Sequence, residues 1–310
     1  MAVKANRDHD SKALRLPTFG VELRRLREDR HLSRERLAFA TGVSASYVSH
    51  LEGGERAHPT RDVVEALLRY LQRVKPIPAS EQRYLLELVA RPPAGVSAEP
   101  EVIDPRTLLT PQLLSVLSAH EPNLAAFIDH HGNVLACNSS YAQAFPGLHA
   151  DANLLRWLLH DPRSREALPD WEQECTLMIR CARTSAARDA DTAWAKQLFA
   201  TFGNDQLFVK VWNDGEIAYN REPAPMRLRD AWTGSVKTVQ AHTWLVPGPG
   251  MRDRVQIFVG MWMPPPAEAV PRAADQSRSQ LSNLLRCERA QWLSGGAVFL
   301  GWPRNTATSD

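Results

Sequence analysis

The stretch Ser33 to Gly54, SRERLAFATGVSASYVSHLEGG, leaves the folding chain few options. Gly42 follows the apolar run Leu37-Ala38-Phe39-Ala40. A glycine just past a helix end takes the left-handed conformation without a Cβ penalty. Two residues on stands Ser44, whose hydroxyl can cap a second helix. In that helix Val48 and Leu51 recur at i, i+3 on one face, and Gly53-Gly54 ends it. Ala38 lies opposite, small enough to let two helices cross closely. Small residue, turn glycine, capping serine and two apolar anchors at these offsets make a helix-turn-helix, whose second helix can be laid into a DNA groove. The competing reading is a plain two-helix corner in an all-α domain, and the flanking sequence weighs against it.

Those flanks supply three more helices. Pro17-Thr18 opens one with Phe19, Leu23 and Leu26 as its buried stripe; Arg24, Arg25, Arg27 and Arg30 occupy its other faces, where some could meet phosphate. Ser33 caps the second helix. After the turn motif, Thr60 is read as the cap of a helix with Val63, Val64, Leu67, Leu68 and Leu71 inward, and Ser80 as the cap of a fifth with Tyr84, Leu85 and Leu88 inward. Residues 1–16 read as a solvated polar tail. Pro/Ala/Gly-rich RPPAGVSAEPEVIDP marks a linker. The division is therefore a DNA-binding domain at 17–91, a linker at 92–104, a second domain at 105–266 and a polar tail at 267–310. Net charge is only +2 over 310 residues, but residues 1–91 carry 17 Lys/Arg against 12 Asp/Glu while the remainder is net acidic. That asymmetry suits nucleic-acid binding by the first part alone.

The second domain changes character. Thr110–His120 reads as a helix, Leu124–Asp129 and Val134–Asn138 as a hairpin about His130-His131-Gly132-Asn133, and Ser139–Phe145 as a helix. Helices follow at Asn153–His160, Trp171–Thr184 (capped by Asp170), Thr192–Gly203 and Gln206–Asn213. The period then shifts to two, and Ser235–Val246 and Arg254–Trp262 form a hairpin that completes a sheet. A further helix is expected near Leu281–Leu293. The fold class is thus an all-α five-helix helix-turn-helix domain followed by an α+β domain.

Catalytic and metal chemistry is hard to find. Asp129-His130-His131 is the one acid–histidine cluster and falls in a turn, where polar residues belong anyway. Cys137, Cys175, Cys181 and Cys287 show no C-x-x-C spacing, so reduced thiols are expected, with a redox-sensing thiol as an alternative. No Walker, zinc or Gly-x-Ser-x-Gly pattern occurs. No catalytic residue, metal or obligatory cofactor is predicted, and no enzyme activity. With no signal peptide and no run of the ~20 apolar residues that span a bilayer, a cytoplasmic protein without membrane contact is expected.

From Phe19 to Ala90, with S-R-E-R-L-A-x-x-x-G-V-S-x-x-Y-V-S-x-L-E-x-G at its centre, the chain resembles the XRE (lambda-repressor-like) class of DNA-binding domains. The resemblance implies a third helix in the major groove of double-stranded DNA. Ala45, Ser46 and Ser49 would then face base edges, and Arg34 and either Ser44 or Tyr47 would meet phosphates. His50 could reach the backbone or be a surface histidine. Lacking Gln or Asn at the base-facing places, direct readout should be modest, with phosphate positioning or DNA shape carrying more.

The order D-H-H-G-N-V-L-A-C-N, N-L-L-R-W-L-L-H-D-P-R-S-R, D-W-E-Q-E and a terminal sheet resembles the MmyB-like ligand-binding domain. The opening strand-turn-strand-helix is similar to that of PAS sensor domains. This resemblance implies a PAS-like domain with an apolar pocket suited to a fatty-acid-like molecule, and a homodimer is expected to meet the DNA. Phe127, Leu135, Cys137, Tyr141, Phe145, Trp157, Trp171, Met178, Trp212 and Trp244 are the expected lining, with plain core packing the alternative for any one of them. Arg156 and Arg180 are the arginines considered for a ligand carboxylate. Three functions follow: a ligand-gated DNA-binding regulator, a DNA-bound protein whose second domain only dimerises or recruits a partner, and an enzyme fused to a DNA-binding domain.

Overall fold

The computed structural model describes residues 14–55, 59–90, 104–148, 152–188, 192–221, 225–248 and 254–263; most of the linker, the tail with its expected helix, and Cys287 lie outside them. Helices α1 (Phe19–Asp29), α2 (Arg34–Thr41), α3 (Ala45–Gly53), α4 (Arg61–Val74) and α5 (Ala79–Ala90) form the N-terminal domain. Their ends follow from local chemistry. The hydroxyls of Thr18, Ser33 and Ser44 accept the backbone N–H groups of Val21, Arg36 and Tyr47, and Gly42 and Gly54 stop α2 and α3 in the left-handed region at φ 76° and 81°. Two caps differ from expectation. Thr60 makes no side-chain cap bond, and Ser80 lies inside α5, which starts at Ala79.

Phe19, Leu23, Leu26, Leu37, Ala38, Val48, Leu51, Val64, Leu67, Leu71, Tyr84 and Leu85 are buried in one cluster. Its tightest point is Gly20 on α1. A Cβ there would stand 1.9 Å from the carbonyl oxygen of Leu51, so α1 and α3 meet backbone to backbone. Arg27 and Arg30, expected on the outer faces of α1, are buried instead. Arg30 donates to the carbonyls of Leu26, Leu71 and Lys75, which closes the C-terminal end of α4.

A short 3-10 turn (Pro105–Leu108) and α6 (Pro111–Ala119, capped by Thr110) lead into the second domain. Its sheet comprises β1 (Leu124–Asp129), β2 (Val134–Cys137), β3 (Met226–Arg229), β4 (Val236–Leu245) and β5 (Val255–Trp262), in the order β2-β1-β5-β4-β3 and antiparallel throughout. The sequence reading contains no β3; four residues, MRLR, are too few to display a period. Between β2 and β3 run α7 (Ser139–Ala144), α8 (Leu154–His160), α9 (Arg163–Ala167), α10 (Trp171–Arg188), α11 (Thr192–Phe202) and α12 (Gln206–Asp214). Helix α10 continues one turn beyond the expected Thr184. The carboxylate of Asp170 pairs with Arg227.

Alternation along the strands divides the domain into two layers. Leu124, Ala126 and Ile128 join the cluster beneath the helices, while Ala125 and Phe127 face the other way, onto Leu117 of α6, Val246 and Val255. The two domains are in direct contact. Ala187 of α10 is buried in the cluster of the N-terminal helices, and Arg183 donates to Glu22 of α1 at 2.5 Å and to the Trp212 carbonyl at 2.8 Å. Leu14 and Leu16, expected in a solvated tail, pack against the second domain, and Trp212 donates its indole N–H to the Arg15 carbonyl.

Gly20→Ala should lower unfolding free energy by about 2–3 kcal/mol, because the neighbour it meets is rigid backbone. Gly42→Ala, with open space around it, should cost only the roughly 1–2 kcal/mol of a left-handed non-glycine residue. Urea denaturation of the two variants side by side checks the ranking.

Candidate nucleic-acid interface and ligand cavity

Helix α3 is anchored by Val48 and Leu51, both fully buried. Ser44, Ser46 and His50 on its other side are exposed, and Ala45, Tyr47 and Ser49 are half-buried. Ala45 and Tyr47 also pack against the domain core. The Ser44 hydroxyl serves first as the helix cap, and His50 lies 3.5 Å from Glu55.

Beneath this surface sits a charge cluster that the sequence reading misses. Buried Glu52 accepts from Arg27 Nε at 2.6 Å and Nη2 at 3.0 Å, and from Arg34 Nε at 2.7 Å. A carboxylate in the last turn of a helix faces the negative end of the helix dipole, and that unfavourable position was the available signal that Glu52 needs cationic partners. Arg34 is thereby held in one orientation with its side chain 39% exposed. Arg24 and Arg25 pair with Glu28 and with Glu22 and Glu81. The α1 arginines therefore build the domain first. Phe39, read as part of the apolar run, is 92% exposed on α2.

In the second domain a cavity of about 180 Å³ lies between the helix-facing side of the sheet and helices α7, α8 and α10. Ile128, Thr243, Leu245 and Phe258 line it from the strands, and Tyr141, Phe145, Trp157, Leu158, Met178, Cys181 and Ala182 from the helices. Its polar wall includes Ser185, Arg188, Tyr219, Asn220, Arg221 and Arg254, together with Arg83 of α5, a residue of the N-terminal domain. The Arg83 guanidinium covers the Tyr219 ring at 4.4 Å, and the Tyr219 hydroxyl donates to Glu87 of α5 at 2.7 Å. Burial pushes the Cys181 thiol up to about 12 and does the same for Cys175, so both stay protonated at neutral pH, unlike reactive sensor thiols.

Of the ten residues expected to line a ligand site, Tyr141, Phe145, Trp157 and Met178 lie on this cavity. The other six do not, each for an identifiable reason. Phe127 and Trp244 occupy the opposite strand parity and face the far side of the sheet; Trp244 stacks on His242 and is 52% exposed. Leu135 joins the same far-side cluster, at a slip in the β1–β2 register. Cys137 is packed in the wall of the helix-side core. Trp171 is packed at the edge of the helix-side core beneath Arg165 and donates to the Leu158 carbonyl. Trp212 stacks on Phe208 beside Arg183 at the domain junction.

Neither arginine considered for a carboxylate reaches the cavity; Arg180 pairs with Asp214 and Glu216. Arg188 was legible only by carrying the Leu177, Cys181, Ser185 spacing one turn further along α10. The Asp129 carboxylate is taken up by the backbone N–H groups of His131 and Asn133 and by the Asn133 amide. Among the described residues no cluster of His, Cys, Asp and Glu is placed to hold a metal, and no helix is long and apolar enough to cross a membrane.

Comparison with known proteins matches residues 18–76 to a helix-turn-helix domain family and residues 109–270 to the MmyB-like transcription regulator ligand binding domain. No curated protein matches the chain. The second match spans more than half of the sequence and contains the whole cavity-bearing sheet, so the chain belongs to the MmyB-like transcription regulators, with a helix-turn-helix domain ahead of a ligand-binding domain.

Proposed function

We propose that this regulator lays α3 in the major groove and that its second domain, a PAS-like sensor, takes a small apolar, fatty-acid-like molecule. The observation that carries the reading is the pairing of an open recognition helix with a largely apolar cavity against the same chain's DNA-binding half. Ser46 is the exposed residue of the leading turn of α3, and a serine can donate to or accept from several bases. Arg34, steadied by Glu52, keeps its two terminal nitrogens for phosphate. Ser49 would complete the base-facing set, with Ser44, Tyr47 and His50 near the backbone. Two copies would place their recognition helices about 34 Å apart on a pseudo-palindrome.

The five-stranded antiparallel sheet with a cavity on its helical side supports the PAS-like reading. At about 180 Å³ the cavity exceeds the roughly 150 Å³ that admits a benzene ring. To regulate, the occupant must bind one arrangement of the protein better than another.

Arg34→Ala should weaken binding to every DNA sequence and reduce the salt dependence by about one unit of slope; a loss confined to particular bases would remove the phosphate role. Ser46→Ala should shift the sequence preference in a selection experiment, and an unchanged profile would remove that residue from base readout. Native mass spectrometry of gently purified protein should reveal a co-purifying apolar small molecule that Trp157→Ala reduces. An empty protein that also fails to bind any added lipid would favour a second domain that only recruits partners.

A further inference from the structure

We propose that the uncovered face of β4 and β5, with Trp232 at its end, is the surface through which a second copy of this chain pairs with the first. The proposal rests on the reading that two copies act together on DNA, and adds which surface joins them.

Alternation fixes what that face presents. Val239 and Ala241 of β4 point into the core beneath the helices, so Val236, Thr238, Gln240, His242 and Trp244 point away from it. The strand register sets Met261 beside Gln240, Val259 beside His242 and Ile257 beside Trp244. On this side α6 and the turn before it cover the β1 half, over Ala125, Phe127 and Ile257, and among the described residues that cluster does not extend onto β3. Val236, Trp244, Met261 and Met263 are left exposed, and Trp232, in the β3–β4 turn, is 95% exposed. Five of the eleven large apolar side chains that stand exposed among the described residues are thus gathered on one half-face and its end. Single ones scattered over a surface are ordinary; a gathering of this kind marks an interaction site.

The turn that carries Trp232 is tied at several points. The Asp230 carboxylate accepts the backbone N–H groups of Trp232 and Thr233, each at 3.0 Å, and the Lys237 ammonium at 2.7 Å. An indole displayed on a fixed turn gives up little freedom when it is covered, which suits it to anchor an interface. The size also agrees. At about 3.3 Å per residue β4 is roughly 33 Å long, and strands about 4.8 Å apart make the face roughly 15 Å wide. That is about 500 Å², to which a buried tryptophan adds up to roughly 200 Å². The total comes close to the about 800 Å² that each partner contributes to a stable interface.

Charge selects the occupant. The outward residues of β4 include no Asp, Glu, Lys or Arg, and the arginines of β3 stand at the rim, Arg227 opposite Thr238 and Arg229 opposite Val236. Nucleic acid would need cations across such a surface, and a charged peptide would find no counter-charge in its middle. A copy of the same face meets an apolar, neutral centre with a polar rim, the usual anatomy of an interface. In a two-fold contact residue i meets j and j meets i. With the axis crossing β4 at Gln240, near its midpoint, the two strands run antiparallel. The Trp232 end of each copy then comes over the Trp244 end of the other, and both exposed tryptophans are covered twice by one contact.

The test is light scattering of the full-length protein along a dilution series, where the wild type should weigh twice 34.7 kDa at the concentrated end. Gln240→Lys and Gln240→Glu each set two like charges at the axis, and each should raise the dimer dissociation constant about tenfold or more. Mixing the two variants should restore pairing as a mixed dimer, which a change in folding alone would not do. Trp232→Ala should weaken pairing by a similar factor, and Val74→Lys, at an exposed apolar position in α4, should leave it unchanged. Thermal melts establish that each variant is folded; if neither Gln240 variant is, Trp232→Ala together with Trp244→Lys decides the matter. A dimer that all these variants leave intact would overturn the face and keep the two-copy reading. So would a protein that is monomeric in solution yet binds as two copies to DNA recovered by selection from random sequences. One copy in solution and one on that DNA would overturn both readings together.

Discussion

Glu22 is the point on which the two domains depend. It lies in α1 at 1% exposure, accepts from Arg25 of its own helix at 2.9 Å and from Arg183 of α10 at 2.5 Å. Removing one member of such a buried pair is costly because the other charge is left without water or partner, typically about 3–5 kcal/mol. If the domains part, Glu22 keeps Arg25, whereas Arg183 gives up the one carboxylate paired with it among the described residues. The apolar surroundings, with Ala187 and Tyr84 buried alongside, make water a poor substitute at the contact.

Helix α10 thus serves two clients. Leu177, Met178, Cys181, Ser185 and Arg188 face the cavity, whereas Arg183 and Ala187 face the DNA-binding helices. The side chains that would sense a ligand and those that hold the DNA-binding domain are neighbours on one rigid element. No long relay of intervening residues is needed between them.

The N-terminal domain was legible because its signals are local. Gly42, Ser44 and the Val48–Leu51 spacing specify a turn and a helix within a dozen residues, and the arrangement follows. Less visible was what requires a partner far off in the chain. Arg27 and Arg30 look like surface charges until Glu52 and the end of α4 are in place. In the second domain all strands but β3 were found, but their parity was not used, which put Phe127 and Trp244 on the wrong side of the sheet. Composition favoured tryptophans as lining, whereas Trp171 and Trp212 spend their indole N–H groups on the carbonyls of Leu158 and Arg15. The arginines of the cavity come from four separate segments, and only folding brings them to one wall.

The close approach at Gly20 limits how this protein can change its grip on DNA. With the Leu51 carbonyl pressed onto α1 where no side chain intervenes, α3 has no slack to tilt or slide by itself. Two residues further along, the same α1 is tethered to α10 through Glu22. Any adjustment that begins in the ligand-binding domain must therefore carry the whole five-helix block as one piece, altering the spacing or angle at which it meets the duplex and not the shape of the surface that meets it.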